Sequence, residues 1–73
     1  MSGHQIIDGE KLKALRQERM LSQRDLARAI GSVQVTISDL ERGKRRAQPR
    51  TVRRLAEALG VEPKELVKKG EDK

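Results

Sequence analysis

Three glycines, at positions 31, 43 and 60, cut the chain into stretches long enough only for brief helices. Each stands where a helical repeat of apolar residues breaks off, and glycine alone enters the left-handed turn conformation freely. Before Gly31, Ser22-Gln23-Arg24-Asp25 places a capping serine three residues ahead of an acid, and Leu26, Ala27 and Ile30 follow at helical spacing. This pattern predicts a helix over 23–30. The repeat resumes at Val33, Ile37 and Leu40, with Gln34, Val35, Ser38, Asp39 and Arg42 on the opposite face, so a second helix over 33–42 is expected to end at Gly43. Upstream, Asp8 is a plausible cap for a helix reaching about residue 19, with Leu12 and Leu15 as its apolar stripe and Arg16 and Arg19 beside it. Downstream, Pro49 and Pro63 suit first helical positions. They predict helices over 49–59, offering Val52, Leu55, Ala56 and Leu59, and over 63–68, offering Leu66 and Val67.

The expected architecture is therefore all-α: a compact five-helix bundle over 9–69, with a flexible segment over 1–8 and a frayed tail over 70–73. A chain of 73 residues is about half a typical domain and supports one small core. With no cysteine, helix packing must hold it together without disulfides or thiolate metal sites. No apolar run reaches the roughly 18 residues of a membrane span. The polar start lacks the apolar stretch of a signal peptide, so a cytoplasmic protein is expected.

The charge is +6, and the excess is concentrated. Arg42, Lys44, Arg45, Arg46, Arg50, Arg53 and Arg54 follow one another with no acid between them. Such a run is either a solvated face or an electrostatic footprint for a phosphate backbone. The chain has no Phe, Tyr or Trp. Modules for single strands stack bases on aromatic rings, which leaves duplex DNA as the better candidate. Nothing suggests an enzyme, a cofactor or a metal: the lone His4 lies in the flexible start, and there is neither a paired-carboxylate pocket nor a glycine-rich phosphate loop.

Two short helices joined at a glycine form a helix-turn-helix pattern. Ala27 and Gly31 are its small residues, expected where the helices cross closely and where a Cβ would obstruct the reversal. The segments Leu21-Ser22-Gln23-Arg24-Asp25-Leu26-Ala27, Ile30-Gly31, Thr36-Ile37-Ser38-Asp39-Leu40-Glu41-Arg42-Gly43-Lys44 and Leu55-Ala56-Glu57-Ala58-Leu59-Gly60-Val61 together resemble the Cro/C1-type (Xre-family) helix-turn-helix domains of phage and bacterial repressors. The resemblance covers about residues 10–67. It implies a lambda-repressor-like fold whose second motif helix lies in the major groove of operator DNA.

Transferred residue by residue, the resemblance makes Gln23 a phosphate-positioning residue at a helix start and Gln34 a bidentate reader of adenine. Val35 would pack against a thymine methyl. Ser38 and Asp39 lie one turn further along, where Asp39 can accept from a cytosine amine or repel wrong partners. Thr36, Arg42, Lys44, Arg45 and Arg46 would hold sugar and phosphate. Arg16 and Glu41 match a shielded ion pair of structural role. The implied protein is a cytoplasmic, nucleoid-associated regulator of bacterial or phage origin, with double-stranded DNA as partner and a homodimer possible through the fifth helix or a further domain.

Three departures from the family pattern stand out. Ser32-Val33 reverses the usual apolar-then-cap order, so either Ser32 caps a longer helix or Val33 opens it uncapped. Met20 occupies a turn position that is often glycine or asparagine, and Ala47-Gln48 replaces the Pro-Ser that commonly opens the fourth helix. Two competing readings are a nuclear-localisation patch at Gly43-Lys44-Arg45-Arg46 and an antitoxin-like adaptor on the same fold.

Overall fold

A Ser22 hydroxyl accepting from the Asp25 N–H at 2.9 Å, with the Asp25 carboxylate accepting in return from the Ser22 N–H at 3.0 Å, starts the first helix of the motif as expected. The structure, a computed structural model, describes residues 5–68; His4 and the tail over 70–73 lie outside them. Four α-helices follow in order: α1 (Gly9–Glu18), α2 (Gln23–Ala29), α3 (Gln34–Glu41) and α4 (Pro49–Leu59). Asp8 caps α1 by accepting from the Lys11 N–H, and Pro49 occupies the first turn of α4. None of the described helices is long and apolar enough to cross a membrane.

All four helices end in the same way. An N–H just past each helix returns to the carbonyl five residues earlier: Leu21 to Arg16, Ser32 to Ala27, Lys44 to Asp39 and Val61 to Ala56, at 2.8–3.1 Å. The residue before that N–H must be left-handed. Gly31, Gly43 and Gly60 fill it at φ 72°, 75° and 73°, but at the end of α1 the position holds Met20 at φ 58°. That departure from the usual small residue places a side chain where L-residues are disfavoured by about 1–2 kcal/mol.

Leu12, Leu26, Ile37, Leu40, Val52, Leu55, Leu59 and Leu66 fill the centre and are wholly buried. Each such side chain contributes about 1.5–3 kcal/mol when withdrawn from water. The core lies behind α2 and α3, so these two short helices are supported on one side and open on the other.

The expected fifth helix is absent. Residues Pro63–Glu65 form a single 3-10 turn, after which the chain extends: the Asp8 N–H donates to the Leu66 carbonyl at 2.8 Å and the Lys68 N–H to the Ile6 carbonyl at 2.9 Å. Leu66 enters the core and Val67 is half-buried opposite Ile7, so this segment offers no free apolar helix face for a partner. The expected flexible start is also corrected over its described part. Gln5 pairs with Ala47 through two backbone hydrogen bonds of 2.7 and 2.8 Å, and Ile7 is only 3% exposed. The core therefore begins at Ile7, not at residue 9.

Candidate nucleic-acid interface

Of the two reasons expected for Gly31 at the reversal between α2 and α3, the left-handed conformation holds, at φ 72°, and obstruction by a Cβ does not. A Cβ built there meets nothing within 4 Å, so the demand is conformational and not steric. Steric crowding falls instead on Gly9, where a Cβ would be driven into the Glu41 carbonyl oxygen and stand 2.8 Å from that of Leu40. The first turn of α1 thus abuts the last turn of α3, positive helix end against negative. A glycine at a helix start gives no periodic signal in the sequence. Ala27 is buried in the core.

Helix α3 begins after Val33, which makes no side-chain cap hydrogen bond, so the uncapped alternative holds. Gln34 and Val35 stand exposed on its first turn, while Thr36, Ser38 and Asp39 are half-buried. The polar flank expected to be open is open at its N-terminal end.

Gln34 is not free to swing. Its Nε2 donates to Gln23 Oε1 at 3.3 Å, and Gln23 Nε2 donates to Glu41 Oε1 at 3.0 Å. Glu41 is in turn held by Arg16, whose Nε reaches Oε2 at 2.6 Å and whose Nη2 reaches Oε1 at 3.2 Å. The remaining guanidinium nitrogen donates to the Leu21 carbonyl at 2.8 Å. An exposed amide is thereby anchored, through one intermediate side chain, to a shielded ion pair joining α1 and α3.

Cationic residues gather at the C-terminal end of this flank. Arg42 caps the C-terminus of α3 and its Nη1 reaches the Ser38 hydroxyl at 3.4 Å. Lys44, Arg45 and Arg46 are exposed in the loop that follows, and Arg45 Nη2 donates to Asp39 Oδ2 at 3.2 Å. Asp39 therefore already holds a cation. The pairing of Gln5 with Ala47 ties the end of this loop to the N-terminal segment.

A polar cleft of about 170 Å³ separates the turn at Gly31 and Ser32 from the start of α4. Thr36 lines one wall and Arg50, Thr51 and Arg54 the other. In the sequence Arg50 and Arg54 belong to the basic run, with no signal for where they sit. Only folding shows that they face Thr36.

Residues 12–66 match the family described as Helix-turn-helix. The chain belongs to the Cro/C1-type (Xre-family) helix-turn-helix family. Among its relatives is the HTH-type transcriptional repressor RghR of Bacillus subtilis, 46% identical over 54 residues. That match takes in 73% of this chain but only 40% of RghR, so the chain spans less than half the length of that repressor. Among solved structures, the restriction-modification controller protein C.AhdI of Aeromonas hydrophila is 37% identical with a TM-score of 0.75, over 78% of this chain and 86% of that one. The P22 c2 repressor, solved in complex with a synthetic operator, is 29% identical with a TM-score of 0.81, over 85% of this chain and 94% of its own. In this helix-turn-helix domain the motif spans α2, the Gly31 turn and α3.

Proposed function

We propose that this domain is the DNA-binding part of a transcriptional repressor and that α3 enters the major groove of duplex DNA. The observation that carries the reading is Gln34: an exposed amide at the start of the second motif helix, steadied by Gln23 and the shielded Arg16–Glu41 pair. An amide so held keeps its carbonyl oxygen and one N–H for the paired acceptor and donor on the major-groove edge of adenine. The name of the operator-bound P22 c2 repressor supports the same assignment.

Around that reader the other side chains divide by chemistry. Val35 supplies an apolar contact for a thymine methyl, and Ser38 a hydroxyl for a base edge one turn on. Asp39, paired with Arg45, aims that cation and repels phosphates that approach the wrong edge. Gln23 at the start of α2, Thr36, Arg42, Lys44, Arg45 and Arg46 hold the sugar-phosphate chain and set register without reading sequence. Arg50 and Arg54, across the cleft from Thr36, extend the same footprint.

Selection from random duplexes, followed by a salt series on the selected site, tests the reading. Affinity is expected to fall steeply with salt, at about 0.9 in log–log slope per phosphate neutralised. Gln34→Ala is expected to cost about 1–3 kcal/mol on the selected site and to relax preference at one base pair, whereas Lys44→Ala weakens all sequences alike and lowers the slope by about 1. Salt-independent binding, or equal losses on selected and scrambled DNA for both variants, contradicts it.

A further inference from the structure

Large apolar side chains exposed among the described residues are Met20, Val33 and Val35. Two of the three flank Gln34, and each is 62% exposed among the described residues. Val35 has a role above, but Val33 has none. Its position is costly. As the residue before the first turn of α3 it stands where Ser, Thr, Asn or Asp accepts from a free backbone N–H, and its side chain accepts nothing. Ser32, one residue earlier, leaves that cap unmade.

A chain this short that forgoes a helix cap for an exposed β-branched hydrocarbon gains nothing within its own fold. Val33 sits in extended backbone at φ −122° and ψ 160°, directly ahead of the anchored amide of Gln34. The side chain has few rotamers to lose on contact. The polar cleft that opens one residue earlier, lined by Gly31, Ser32, Thr36, Arg50 and Arg54, suits a polyanion and not an apolar protein surface. On the major-groove edge of duplex DNA the apolar feature is the C5-methyl group of thymine.

We infer that Val33 is a second apolar base-reading residue, which packs against a thymine methyl beside the base pair read by Gln34. Together Val33 and Val35 form two hydrocarbon contacts on either side of one polar reader. The recognised site therefore carries a thymine whose methyl, and not its hydrogen-bonding edge, is recognised by the residue ahead of α3. This inference rests on the placement of α3 in the major groove proposed above.

The test uses the full chain and the duplex obtained by selection, with each thymine replaced in turn by deoxyuridine, which lacks only the methyl. Wild-type protein is expected to lose about fourfold in affinity at the thymine facing Val33, the free energy of withdrawing one methyl group from water. Val33→Ala is expected to bind the thymine and uracil duplexes equally at that position while keeping the penalty at the thymine facing Val35. Val33→Ser restores a capping hydroxyl, so its melting temperature rises while its affinity for the thymine duplex falls.

A Val33→Ala protein that keeps the wild-type thymine-to-uracil ratio at every position overturns the inference, as does a selected site without thymine. A Val33→Ser protein that loses stability and affinity together makes the residue structural and overturns it too. These outcomes differ from failure of the underlying reading, in which wild-type protein selects no duplex sequence at all.

Discussion

Arg16 and Glu41 meet through two hydrogen bonds, with side chains only 9% and 4% exposed, and close α1 against α3 at the base of the candidate interface. Such a pair adds little net stability over a well-packed apolar substitute, because both charges lose hydration. Removing one partner is different, since the other charge stays buried and unpaired. Glu41→Ala is expected to cost about 3–5 kcal/mol. A single core of this size rarely supplies more than about that amount. Urea denaturation followed by circular dichroism should find Glu41→Ala largely unfolded at 25 °C and the double variant Arg16→Met/Glu41→Leu folded. A stable Glu41→Ala protein refutes the account.

Met20 has the opposite sign. It holds φ 58° in the position that Gly31, Gly43 and Gly60 fill at the other three helix ends, and its side chain is 90% exposed, so replacing it removes strain and almost no packing. Asparagine tolerates the left-handed region without glycine's freedom in the unfolded chain. Met20→Asn is expected to raise stability by about 0.5–1 kcal/mol with no change in DNA affinity. Chemical denaturation and a binding titration on the same sample check both halves.

What the sequence reveals of this fold is what local chemistry writes. Leu26, Ala27 and Ile30 repeat at helical spacing between a capping box and a glycine, so α2 is legible, and the resemblance paired Arg16 with Glu41 across 25 residues. The errors lie where structure comes from distant backbone. Ile7 and Gln5 look like loose ends because their partners, Val67 and Ala47, are remote in sequence. Leu66 and Val67 suggested a helix face because proline opened the segment, but pairing with the N-terminal segment drew the backbone straight after one 3-10 turn. The crowding at Gly9 and the cleft facing Arg50 were likewise invisible, since neither has a periodic signal.

The Asp25 carboxyl titrates below its ordinary value of 3.8, chiefly because it accepts from the Ser22 N–H and then because of the Ser22 hydroxyl bond. A carboxylate whose folded pKa is depressed stabilises the fold at pH values above the unfolded pKa and loses that contribution as pH falls through the folded one. Melting temperature measured from pH 5 downward should therefore show a wild-type advantage over Asp25→Asn that is constant above about pH 4.5 and shrinks below 3.8. An advantage unchanged at pH 2 would mean that the charged capping box is not what separates the two proteins.

Gln23 and Gln34 should not behave as independent contacts. Gln23 spends one end of its amide on Glu41 and the other on Gln34, so shortening it frees the reader as well as removing a group from the start of α2. Gln23→Ala is therefore expected to weaken binding to every sequence and also to blunt preference at the base pair that Gln34 reads, an effect a purely phosphate-holding residue would lack. In a double-mutant cycle on the selected duplex, the combined loss should fall short of the sum of the single losses by at least about 0.5 kcal/mol. Gln23→Glu sharpens the test. Its carboxylate still accepts from Gln34 but faces Glu41 with like charge, so it should keep base preference better than Gln23→Ala while lowering stability. Strict additivity in the cycle would separate the two glutamines and leave the orientation of Gln34 to its own helix.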